Sequence, residues 1–463
     1  MLIFSIWLFT VVASTYLFKK VSGSLSLVKP NMISIIYYYS FLISSYIGGL
    51  LIALGIDDYY MIKRMDHEEY RIIGFVLLTI LMILFPLTQL VVGRIIGFNS
   101  QLEFDRYLHE PVRTSVDKNR RIFKLAFGIL AAISVMAVAY TLLKTSTVPI
   151  FELLKGNTSE LAKMRIDASR GFSGIDVYIR NIFAIALTPV LSIIAFVYAT
   201  QTKALYWKFL FLMLFSSSVL ITTYDLAKSP IFFYIIMLLL AGVYTGRLKL
   251  NWRKITGYVI AGSVLLVGMY VSIQGVKEVQ SFLSYNSGPI GRILLAQISP
   301  FFLHLDTFSH SIPLLEVKGL PSFIAGIFDV EQVRSARMVM ENVFPENIDK
   351  GTGGVLNTIF LGEAFASFGY IGVIVAIIYI AIVIQIIYIV FLRLPKTPVV
   401  IALFIYFTIN IPRTLVGGVS DFFFNPIWVL LTVVLGGLFI LEQYFHMIWS
   451  FLTSKVKKKR VKA

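Results

Sequence analysis

The groups in this chain best suited to chemistry are a set of cations: Arg165, Arg170, Arg180, Lys228, Arg292, Arg334, Arg337 and Arg413. A guanidinium offers a planar fork matched to phosphate oxygens and stays charged at any physiological pH. Several brought together would suit a diphosphate. Arg165 and Arg170 lie in KMRIDASRGFSGIDVYIRN, where Gly171 and Gly174 allow close backbone approach. Arg292 lies in SGPIGR, and Arg334 and Arg337 in VEQVRSARMVMEN. Lys228 and Arg413 sit on short turns, TTYDLAKSP and RTLVGGVSD. Each has an ordinary use as well: Arg165 beside Asp167 and Arg334 near Glu331 would make surface ion pairs of small worth.

For acid–base work the candidates are His304, Asp306, His310 and Glu363. HLDTFSH sets its two histidines off a common helical face, so they converge only through a turn. An imidazole with a pKa of about 6.5 can take a proton from a hydroxyl. Glu363 stands in the apolar run LNTIFLGEAFASFGYIG, where burial would raise its pKa or a structural hydrogen bond would hold it. Asp57 and Asp58 could hold a divalent ion or simply begin a solvated loop. The five histidines form no HExxH and no dense His/Asp cluster along the chain, so no metal site is expected. Neither GxxxxGK[ST] nor a strand-borne GxGxxG occurs, so no nucleotide or other cofactor is expected. With no cysteine, disulfides and thiolate sites are excluded.

The elements that must position these groups are apolar. The 463 residues are 57% hydrophobic and 14% charged, with a mean hydropathy of +0.82. A soluble domain would show roughly 45–50% and about 25%. That excludes a soluble enzyme and a disordered chain, and predicts an all-α polytopic membrane protein. Spans of about 20 apolar residues are read at 2–18, 33–55, 72–97, 122–143, 178–200, 204–222, 230–246, 255–273, 370–392, 398–412 and 424–447, eleven in all. The first lacks a basic leader and an A-x-A site, so it reads as a retained helix. The net charge of +16 records topology and calls for no nucleic acid. With the N-terminus outside and the C-terminus cytoplasmic, most Lys and Arg fall inside, as the positive-inside rule requires. The expected divisions are N-terminal helices 1–143, a first large outer loop 144–177, central helices 178–273, a second large outer loop 274–369, C-terminal helices 370–447 and a basic tail 448–463. Segment 98–121 reads as a solvated hairpin, and the loop around SGPIGRILLAQISPFFLHLDTF as amphipathic helices in the outer interface. Two spans are short and carry a proline at one end, Pro230 and Pro412, and each abuts a turn with one cation.

Gly353, Gly354, Gly362, Glu363, Phe365, Phe368, Gly369 and Gly372 fill a pattern in GGVLNTIFLGEAFASFGYIGVIVAIIYI. It runs as a glycine pair, an apolar turn, G-E-x-[YF], then F-G-x-x-G opening a membrane helix. This resembles the late outer-loop signature of Wzy-type oligosaccharide repeat-unit polymerases (O-antigen or capsular polysaccharide polymerases). The layout of two large outer loops and the Arg- and Gly-rich first loop are similar too. The resemblance implies a type-C glycosyltransferase fold that needs no metal, at the outer face of a bacterial cytoplasmic membrane. Its substrates would be undecaprenyl-diphosphate-linked oligosaccharides, with the cations above binding the diphosphate and His304, His310 or Glu363 as base. A flippase and a chain-length regulator would be its partners. O-antigen ligases carry a histidine shortly before the G-E segment; here ENIDKGTGG has none, which leaves the base unassigned. An O-antigen ligase-like enzyme, a lipid-linked oligosaccharide flippase or other transporter, and a membrane assembly subunit are the competing readings.

Overall fold

The computed structural model describes residues 1–114, 120–155, 164–165, 167–168, 171–274, 284–286 and 288–444. Among them there is no β-strand. The main helices are α1 (Leu2–Ser22), α2 (Met32–Ala53), α3 (Glu69–Ile95), α4 (Ser100–His109), α5 (Arg120–Lys144), α6 (Ile175–Thr202) and α7 (Leu205–Thr223). They continue as α8 (Lys228–Tyr244), α9 (Trp252–Gln274), α10 (Ser299–Asp306), α11 (Ser335–Val343), α12 (Phe360–Arg393), α13 (Pro398–Leu415) and α14 (Pro426–Gln443).

Nine helices among the described residues are long and apolar enough to cross a membrane: α1 to α3, α5 to α7, α12, α13, and α14 with the turn before it. The other two expected spans are also helical. One is α8, at 17 residues below the usual length, and the other is α9. Burial separates their environments. Only 17% of the most apolar stretch of α1 is buried inside the protein, against 83% for α13. An exposed apolar face of that extent belongs in lipid, not water. The chain is therefore an all-α, multi-pass membrane protein.

The chain forms two compact units that cut across its linear order. One comprises Met1–Arg106, Val276–Arg393 and Phe407–Asn425; the other comprises Tyr107–Gly275, Leu394–Tyr406 and Pro426–Ala463. In the first unit α3 packs against α1, α2 and α12. Phe41 bridges Phe18 and Phe85, with ring centroids 6.0 and 4.9 Å away. Where α2 winds into wide π turns (Ile36–Ile47), the Ser40 hydroxyl donates to the Pro412 carbonyl at 2.7 Å. The connections of this unit sort to two ends, as alternating spans require. At one, Arg393 pairs with Glu103 at 2.8 Å and Tyr388 donates to the Ser22 carbonyl at 2.8 Å. At the other, loop 54–68 meets the segments after residue 288, as in the Arg64–Glu346 pair at 2.6 Å.

One sequence expectation gains detail here and another changes. Segment 98–121, expected as a solvated hairpin, begins with the mostly exposed helix α4, and its residues 115–119 lie outside the described residues. The Asn99 side chain caps this helix by accepting from the Leu102 N–H at 3.1 Å, and Phe104 and Tyr107, three apart, are buried. The helices expected in the outer interface are not amphipathic at α10. Every residue from Ser299 to Phe308 is buried, the polar Ser299, His304, Asp306 and Thr307 included, because α10 packs on both α3 and α12.

In the second unit α6 packs against α7 and α5. Trp207 stacks on Tyr198 at 4.2 Å and meets Phe127 edge-on at 5.0 Å. A cluster of Ala137, Val138, Val148, Ala184, Ile221 and Tyr224 ties together the ends of α5, α6 and α7.

Candidate functional site

That cluster positions the turn 224–228. The Ile150 N–H donates to the Tyr224 carbonyl at 3.2 Å, and Asp225 Oδ1 accepts from the Ala227 N–H at 3.0 Å. Leu226, buried, takes a positive φ of 56°, a strained conformation for a side chain of its size. Three of the expected cations meet this turn. Arg165 Nε donates to the Asp225 carbonyl at 3.1 Å. The Arg180 guanidinium lies 4.6 Å over the Phe172 ring, donates from Nε to Asn181 at 3.0 Å and reaches the Tyr224 hydroxyl. Burial pushes that hydroxyl's pKa up, and Arg180 opposes it. Lys228 opens α8 with its Nζ buried. Arg165 therefore bonds the turn's backbone, and its expected partner Asp167 is not the group that holds it. Arg170 lies outside the described residues.

In the first unit a polar cavity of about 320 Å³ is lined by Gly319, Arg334, Glu363, Gly418, Ser420 and Asp421. Its geometry follows from a break in α12. Gly369 has φ 60° and ψ −148°, a region nearly closed to residues with a Cβ. The break leaves the Ala366 carbonyl to accept from the Leu315 N–H at 2.8 Å. Glu363, one turn before Ser367, is buried, and its Oε2 accepts from the Val419 N–H at 2.7 Å and from the Ser420 N–H and hydroxyl at 3.3 Å. A Cβ at Gly418 would fall 2.5 Å from both carboxylate oxygens, so only glycine lets the turn approach. Glu363 thus organises the RTLVGGVSD turn. Asp421, which sequence reasoning did not single out, is the exposed carboxylate of this cavity; its aspartate type inside that turn was the available signal.

The remaining cations of this unit divide. Arg334 donates to Asn357 at 2.9 Å and faces Glu363 and Asp421 electrostatically; Glu331 is not its partner. Arg337 pairs with Glu341 at 2.6 Å and donates to the Gly354 carbonyl at 3.2 Å, which anchors the glycine pair of the signature. Arg292 is exposed near Tyr59, whose hydroxyl burial pushes up while Arg292 opposes. Arg413 donates to Asn410 at 3.1 Å.

The acid–base candidates also separate. His304 is fully buried and donates from Nδ1 to the Pro300 carbonyl at 2.7 Å; burial lowers its pKa to about 4. It is a core histidine. His310 instead lies beside Asp306 and His67, the last a residue the sequence reading passed over because it is 239 positions from Asp306. Asp57 and Asp58 are committed to ion pairs with Arg71 and Lys63, so the divalent site considered for them is not built. A scan against protein-family models and searches of curated proteins and solved structures find no match to this chain.

Proposed function

We propose that the protein is a membrane-embedded glycosyltransferase joining lipid-diphosphate-linked oligosaccharide units, of the Wzy-type polymerase kind. The reading rests on one observation: Arg165, Arg180 and Lys228 gather on the strained turn 224–228. Helix N-termini carry partial positive charge, and α8 begins at Lys228 in this turn, whose own carboxylate is Asp225, while Asp176 in the first turn of α6 is paired with Lys144. Such a concentration of positive charge is balanced well by an anion of more than one charge. The G-E-x-F and F-G-x-x-G segment supports the same reading.

The donor's lipid diphosphate is the leaving group. Its bond to the anomeric carbon breaks as an acceptor hydroxyl forms the new glycosidic bond. Negative charge growing on the diphosphate is stabilised by the guanidiniums and the ammonium, so the charge needs no metal. The acceptor's proton passes to a carboxylate. A cavity of carboxylates, arginine and backbone amides also suits a hydroxyl-rich sugar.

The test uses purified full-length protein in detergent with a synthetic diphosphate-lipid oligosaccharide and no nucleotide. A ladder of longer products is expected. Arg165→Ala and Lys228→Gln should each slow it about 100-fold, the usual loss when one charge-stabilising donor is removed. Unchanged substrate with folded wild-type protein sinks the reading. Wild-type ladders from both variants would show that these cations serve the turn alone.

A further inference from the structure

We propose that His67, Asp306 and His310 form a binding site for a divalent transition-metal ion of zinc type, which clips loop 54–68 to the end of α10. Two imidazoles and a carboxylate are a nitrogen and oxygen donor set favoured by Zn²⁺ and its neighbours, and no thiolate is needed. One donor atom from each of the three residues lies within 4.8 Å of the others. Ligands sharing a tetrahedral zinc stand about 3.3 Å apart, given bonds of about 2.0–2.1 Å, so side-chain rotation closes the remaining gap.

The carboxylate is already oriented. The Asp66 N–H donates to Asp306 Oδ2 at 2.7 Å, which turns Oδ1 towards the imidazoles. His67 Nδ1 lies 2.7 Å from that oxygen and His310 Nδ1 lies 3.9 Å from it. Asp306 and His310 are four apart, and the wide turn Thr307–Ser311 carries His310 round to the same side. The imidazole rings stack at 3.7 Å with 11° between their planes. Parallel rings cannot aim two lone pairs at one ion, so binding rotates at least one ring about its Cβ–Cγ bond. Room for that exists, because His67 and His310 are 40% and 39% exposed while Asp306 is 9% exposed. The same exposure gives the ion a path in and leaves coordination positions for water. Tyr70 stands edge-on to both rings and bounds the site on the α3 side. None of these residues lines the cavity of Glu363, so the proposal does not depend on the polymerase reading.

The experiment takes untagged full-length protein in detergent, strips it with a chelator, and titrates it with Zn²⁺ by calorimetry. One equivalent per chain is expected, with a dissociation constant on the order of micromolar or below. His67→Ala and His310→Ala should each weaken binding about 100-fold, whereas His109→Ala, outside the cluster, should not change it. Zn²⁺ should raise the unfolding temperature of wild type and of His109→Ala only. The exposed positions also accept His67→Asn and His310→Gln, which keep the fold testable if an alanine variant misfolds. Co²⁺ should give a visible ligand-field band in wild type that both substitutions remove. No saturable binding by folded wild type, or one undiminished equivalent in the His67 and His310 variants, overturns the proposal.

Discussion

At the end of α10 two histidines of one short motif have opposite surroundings. His304 is sealed between α10 and its neighbours, and His310 faces solvent beside Asp306 and His67. Residue type and spacing are alike for both, so nothing in HLDTFSH separates them; burial does. The consequence can be measured for His304. Its pKa in the folded state is about 4, against 6.5 as an ordinary value. Between those limits the unfolded chain binds a proton that the folded chain does not. Stability is therefore fully present above pH 6.5 and falls as pH drops towards 4, by up to about 3 kcal/mol. Thermal unfolding in detergent across that range should show the slope, and His304→Gln should flatten it. An equal slope in that variant would assign the acid sensitivity elsewhere. Glu363 was legible as a buried carboxyl in an apolar run. Its actual use, accepting from the Val419 and Ser420 amides, depends on a turn 56 residues further on.

Helices were legible as elements because their apolar runs are long. Their interruptions were legible only as glycine and proline. Phe368 and Gly369 break α12 between Glu363 and the membrane-spanning part, and Gly369 does so at φ 60° and ψ −148°. Gly369→Ala should cost about 2 kcal/mol, since this region is strained for any residue with a Cβ. It should also lower oligosaccharide ladder formation, because a continuous helix would withdraw the Ala366 carbonyl from Leu315 and re-aim Glu363. Wild-type unfolding temperature and product lengths in that variant would show that the break does not position the cavity. The wide π turns are a second device invisible in sequence. Arg180, Arg292 and His310 each sit in one, where an added residue per turn shifts side chains off ordinary helical spacing.

For the molecule as a whole, the cysteine-free sequence makes orientation directly testable. Ser26 and Thr352 are exposed and lie at the two ends of the first unit. A membrane-impermeant maleimide applied to intact cells should label Thr352→Cys, and should label Ser26→Cys only after permeabilisation. The reverse pattern would invert the expected topology. Composition alone determined that this chain lives in a membrane, because 57% hydrophobic residues in long runs cannot be hidden inside a protein of this size. The long apolar helices followed from the same runs, and the residue types able to bind phosphate or exchange protons were plain as types. Tertiary structure decided which of them meet. Arg165 and Arg180 reach one turn and Arg337 is spent on the Gly354 carbonyl. His67 joins Asp306 across 239 positions. Local spacing encodes which face a residue occupies on its own helix, but partners on other helices are set by packing, and packing is a property of the folded chain.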